Sequence, residues 1–129
     1  MPVFNIQKET EENKYFRNVK LTGPHLQIVY MTLKKGENIG KETHKDTDQF
    51  IRIDKGVGEA NLDGKTYDVK DGDAIFIPQG TEHDIYNEDK EPLSFYVIYS
   101  KKMHPDGEKS NKGGNVKEQL KELVKNRTK

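Results

Sequence analysis

Short apolar runs, each closed by a glycine, proline or aspartate turn, constrain this chain more than any other feature. The runs at Glu59 to Leu62 and Lys65 to Val69 flank Asp63-Gly64, the residue pair that a two-residue type I′ hairpin demands. Asp71-Gly72 marks a further turn. Ala74 to Ile77 is a continuous apolar run that stops at Pro78, as a buried strand must, and Gln79-Gly80 completes the reversal. Beyond it His83, Ile85 and Asn87 alternate on one face. A polar loop over residues 87–92 then leads to Leu93, Phe95, Val97 and Tyr99, again on one face. Upstream, residues 2–6, Tyr15 to Leu21 and His25 to Leu33 read as strands, with Gln7 to Asn13 an exposed charged connection. In the run from Gln49 to Ile53, Gln49, Ile51 and Ile53 share the face assigned to the interior, opposite Phe50, Arg52 and Asp54. Phe76, Phe95 and Tyr96 read as core aromatics. No strand–helix–strand alternation and no repeat intervenes, so the expectation is an all-β sandwich or barrel.

The chain has 129 residues, enough for one domain with a single core. Only 31% of them are hydrophobic against 34% charged, a balance that in an unpatterned chain would point to disorder. Here the apolar residues are gathered into alternating runs, which favours a thin β core. Net charge is zero, so no global field recruits nucleic acid or an anionic membrane. No cysteine is present, which excludes disulfides, thiolate metal sites and cysteine nucleophiles. The first residues lack the basic and apolar regions of a signal peptide, and no apolar run approaches a membrane span, so a cytoplasmic protein is expected.

The character changes after Tyr99. From Lys101 onward nine Lys/Arg face four Asp/Glu, a charge of +5 that leaves −5 on residues 1–100. The spacing predicts a barrel domain over residues 1–103 and, over 104–129, a linker followed by a short amphipathic helix. Asn115 and Glu118 make a capping box for that helix, and Val116, Leu120, Leu123 and Val124 form its apolar stripe.

The residues that carry chemistry are few. Glu42 and His44 lie two apart and so face the same way on a strand. Gln49 is out of phase with them and needs the turn that Lys45-Asp46-Thr47-Asp48 supplies. His83 stands alone after the Pro78-x-Gly80 turn. Carboxylate, imidazole and amide side chains are metal-ligand types, and their pattern suggests that the four meet around one ion. His104 reads as a surface loop residue, with a place at the barrel mouth as the alternative. No Ser-His-Asp arrangement, phosphate loop or base-stacking motif is present.

Two spacings resemble those of the cupin family. Its first motif is matched by Gly36, Glu42, His44, Gln49 and Gly56, and its second by Gly72, Pro78, Gly80, His83 and Asn87. The motifs occupy residues 36–56 and 72–87. The resemblance implies a cupin barrel (a double-stranded β-helix, or jelly roll) with the short C-terminal α-helix appended. It also implies one divalent transition metal, Fe, Mn, Ni, Co or Zn, held by Glu42, His44, Gln49 and His83. Glu42 replaces the family's first histidine and Gln49 its glutamate, so the carboxylate has moved and the charge of the ligand set is kept. Small microbial cupins that share the Glu-x-His and Gln-Phe pattern and a trailing His-Pro-Asp-Gly, here His104 to Gly107, are a narrower likeness. The implied function is a metal-dependent enzyme on a small molecule, oxygenase- or isomerase-like. A non-catalytic metal-containing binding or sensing module is the alternative, because Glu42 is already a ligand and only a tyrosine or His104 remains as acid or base. Polar groups converging on the metal would favour catalysis, and a dry apolar lining would favour binding. A small-molecule ligand and a homodimer are the expected partners.

Overall fold

In the computed structural model, which describes residues 3–111 and 114–115, the alternating runs become strands of two antiparallel sheets. The first sheet holds β1 (Arg17–Thr22), β2 (Gln27–Leu33), β5 (Gln49–Lys55), β8 (Ala74–Ile77), β10 (Leu93–Tyr99) and β11 (Lys109–Ser110), in the order β11-β1-β2-β10-β5-β8. The second holds β3 (Glu37–Asn38), β6 (Val57–Leu62), β7 (Lys65–Lys70), β9 (Glu82–Tyr86) and β12 (Gly114–Asn115), in the order β12-β3-β9-β6-β7, with β4 (Glu42–Thr43) also paired to β9. This is the all-β barrel expected. Asp63 and Gly64 both have positive φ, 50° and 83°, as the type I′ turn between β6 and β7 requires.

The core is built in rows across the first sheet. Leu33 pairs with Leu93; Met31 pairs with Phe95, which pairs with Ile53; and Val29 pairs with Val97, Val97 with Ile51 and Ile51 with Ile75. Ala60, Val69 and Ile85 close on them from the second sheet. One step further along the same strands the row turns polar: Gln27, Tyr99 and Gln49 lie side by side, followed by Ile77. All four are buried.

Three expectations need correction. Within the expected strand over residues 2–6, the described residues 3–6 form none; the chain instead makes α1 (Ile6–Glu12), mostly in the segment read as an exposed connection. Asn5 caps it, its side chain accepting the Lys8 N–H at 2.9 Å. Phe4 and Ile6, together with Ile98, pack against Ile28, Tyr30 and Tyr96 on the outer face of the first sheet. Tyr96 is therefore buried beneath a helix, on the opposite face of β10 from Phe95. Phe76 is 61% exposed, because β8 is an edge strand with only one covered face. The C-terminal helix lies outside the described residues. No helix among the described residues is long and apolar enough to cross a membrane.

Candidate metal centre

Backbone pairing brings the two motifs together. Glu42 of β4 lies opposite His83 of β9, which lies opposite Leu62 of β6. This row faces the Gln27–Tyr99–Gln49 row across the barrel interior. The turn of the second motif also grips the histidine of the first, since Gly80 N–H donates to the His44 carbonyl at 2.7 Å. The intervening loop is pinned as well. Thr47 and Ser100 share a hydroxyl contact of 3.0 Å, Asp48 N–H donates to Ser100 Oγ, and Gln79 N–H donates to Asp48 Oδ1. The turn residues between His44 and Gln49 thus have fixed partners, and Gln49 enters β5 with its side chain inward.

One ligand atom from each of Glu42, His44 and His83 lies within 4.8 Å of the other two. Donors about 2.1 Å from a shared ion can be at most about 4.2 Å apart, so the three side chains would have to draw together to hold one. Thr81 O takes the Nδ1 proton of His83 at 2.9 Å, which leaves the His83 Nε2 lone pair facing inward. Gln49 meets that nitrogen through its amide at 3.0 Å. A half-turn of the amide would present Oε1 in place of Nε2. His44 Nε2 is buried and has no hydrogen-bond partner; Glu42 Oε2 lies 3.0 Å away but out of line. A buried ring nitrogen without a partner, between a carboxylate and a second imidazole, fits a cation.

All four expected residues therefore meet at one place. Two others that were not singled out for the site join them, and a third is relocated. Tyr99 stands edge-on to His44, with ring centroids 6.1 Å apart at 85°. Burial, and next the charge of Glu42, push its hydroxyl pKa well above the usual tyrosine range. His104 is a half-buried loop residue that faces inward, as the alternative had it. It packs on Tyr99, rings 5.5 Å apart at 71°, with Nε2 3.3 Å from the Tyr99 hydroxyl. Burial foremost, then the Arg17 guanidinium, pull the His104 pKa down to about 4, so the ring is neutral near pH 7. Gln27 holds it there: fully buried, its amide donates to the His104 carbonyl and Thr22 Oγ1 and accepts from the Met103 and His104 N–H groups. The sequence signal for Gln27 is a polar residue at an inward position of an apolar strand.

Comparison with known proteins agrees with this fold. The cupin domain model matches residues 29–99. An uncharacterized protein of Acanthamoeba polyphaga mimivirus is 47% identical over 111 residues, covering 82% of this chain and 69% of that protein. The uncharacterized protein YrkC of Bacillus subtilis is 41% identical over 112 residues, covering 81% of this chain and 60% of its own length. A more distant match is quercetin 2,3-dioxygenase of Bacillus subtilis, 38% identical over 66 residues, which are 51% of this chain and 20% of that enzyme. A crystal structure of a Bacillus halodurans protein superposes with a TM-score of 0.83 at 38% identity, covering 86% of this chain and 89% of that one. With the domain matched over more than half its length and the barrel shared with a close structural relative, this chain belongs to the cupin family.

Proposed function

We propose that this cupin is a metal-dependent enzyme acting on a small molecule, with a divalent transition metal held by Glu42, His44 and His83 and with Gln49 as the fourth donor. The observation that carries this reading is the buried His44 Nε2 with no hydrogen-bond partner, clustered with the carboxylate of Glu42 and the ring of His83. When bound, such an ion supplies a Lewis acid with open positions for a substrate oxygen. The chain's own groups do the rest. Thr81 O fixes the His83 tautomer and ring, and Gln49 would turn its amide from His83 Nε2 toward the ion. Tyr99 beside His44 and His104 beside Tyr99 favour turnover over a dry binding pocket. Similarity to part of a quercetin 2,3-dioxygenase supports oxygenase chemistry ahead of isomerisation, without carrying that enzyme's substrate across. The reading includes pairing with a second copy, supported by the edge strand β8 and the cross-strand neighbours Phe50 and Phe76 exposed beside it.

The test is elemental analysis with EPR on protein purified without chelator. About one equivalent of a transition metal is expected in the parent, with little in His44→Ala or His83→Ala variants that keep the β circular dichroism of the parent. Equal metal content in parent and variants would overturn the ligand assignment. Iron would bear out the oxygenase reading, and a redox-inert ion such as zinc would count against it.

A further inference from the structure

The polar layer of the barrel is almost fully committed. Gln27 spends both amide protons and its carbonyl oxygen on residues 22, 103 and 104. Gln49 is turned to His83. Tyr99, between them in the same row, is different. Its only hydrogen-bond contact among the described residues is His104 Nε2 at 3.3 Å, longer than a normal bond from a hydroxyl. A hydroxyl that is loosely held, on a buried ring standing edge-on to His44, is costly unless something else uses it. Its surroundings, by contrast, are rigid. The His104 backbone is clamped by Gln27 over a sequence separation of 77 residues, and Gln27 pairs directly with Tyr99 across β2 and β10. The half-buried His104 ring is thereby held against the Tyr99 hydroxyl.

We propose that the Tyr99 hydroxyl hydrogen-bonds the oxygen or anion bound at the open face of the metal, and that His104 and Gln27 are positioning residues that aim it. The ligand class is a small molecule offering a hydrogen-bond-accepting oxygen or anion to the metal, such as an enolate, phenolate or carboxylate. His104 Nε2 accepts the hydroxyl's hydrogen bond when the face is empty and gives it up when a ligand arrives. Tyr99 thereby separates ligands that can accept a hydrogen bond from those that coordinate without accepting one.

This inference rests on the proposed metal site, and its test keeps the two apart. The chain is loaded with Co(II), the cobalt is counted by elemental analysis, and sodium azide is titrated against the cobalt absorption bands. Tyr99→Phe removes only the hydroxyl. It should keep the parent's cobalt content and thermal midpoint while weakening azide about tenfold, the loss of one hydrogen bond of about 1.4 kcal/mol. His104→Ala should weaken azide several-fold, and His104→Gln, which keeps an acceptor at that position, should recover most of the loss. Equal azide affinity in Tyr99→Phe and parent overturns the role of Tyr99 and leaves the metal site standing. So does a parent that takes up cobalt and binds no azide. Loss of cobalt from Tyr99→Phe also overturns it, since the hydroxyl would then serve the metal. A parent that takes up no cobalt overturns the metal reading, and this inference with it.

Discussion

Gly56 and Gly72 offer a controlled comparison, because their φ angles are 93° and 92° and their surroundings are opposite. A Cβ on Gly72 meets no heavy atom within 4 Å. Alanine there costs only the strain of a positive φ, about 1–2 kcal/mol. A Cβ on Gly56 would lie 2.4 Å from the Pro92 carbonyl oxygen and 3.2 Å from Leu93 Cα, both backbone atoms that cannot swing aside. Relieving that contact means moving either the β5–β6 crossover or the start of β10, whose Leu93 is fully buried. Overpacking of this kind adds about 1–3 kcal/mol. Gly56→Ala should therefore be less stable than Gly72→Ala by about 2 kcal/mol, the common φ strain cancelling in the difference. At about 4 °C per kcal/mol for a chain of this length, the melting temperatures should differ by about 8 °C. Urea denaturation followed by circular dichroism measures it, with unchanged m-values to show that both variants unfold from the same compact state. Equal destabilisation of the two variants would refute the steric argument and leave φ strain as the whole cost.

The depressed pKa of His104 makes stability depend on pH. Between about 4 and the unfolded value of 6.5 the unfolded chain binds the extra proton, so stability should rise with pH through that window and level off above it. The full shift would be worth about 3 kcal/mol and partial exposure reduces it to about 1–2. Urea midpoints at pH 4.5 and 7 on metal-free protein should show a smaller pH difference in His104→Gln than in the parent, and identical differences would count against it. Phe76→Lys should leave stability within about 0.5 kcal/mol, since the ring is 61% exposed. Light scattering should find the parent as a dimer and this variant shifted to monomer. A monomeric parent at micromolar concentration would end the pairing proposal.

Local rules carried most of the barrel. Alternation placed Ile51, Ile53, Phe95 and Val97 inward, and Asp63-Gly64 demanded its hairpin, because strand faces and tight turns are decided within a few residues. The clustered site residues could be found because motif spacing encodes cross-strand register: Glu42 opposite His83 is a direct product of it. What failed was decided at a distance. Ile6 looked like strand because nothing local reveals that a helix will cover Tyr30 and Tyr96 on the outer sheet face. Phe76 looked buried because an apolar run does not announce that its strand is an edge. The union of Tyr99, His104 and Gln27 depends on contacts spanning up to 77 residues, and no short pattern contains it.

Strand β10 runs from Leu93 through Phe95 and Val97 to Tyr99, and that one strand divides its duties by position. Its first three inward residues lie in dry rows where a change of volume is felt as instability. The fourth borders the polar layer, where a substitution alters a hydrogen bond and leaves the apolar rows in place. Insulation of this sort lets the polar end change while the apolar end keeps the barrel folded. It also means that mutations at one end of the barrel should be read in melting temperatures, and at the other in affinities.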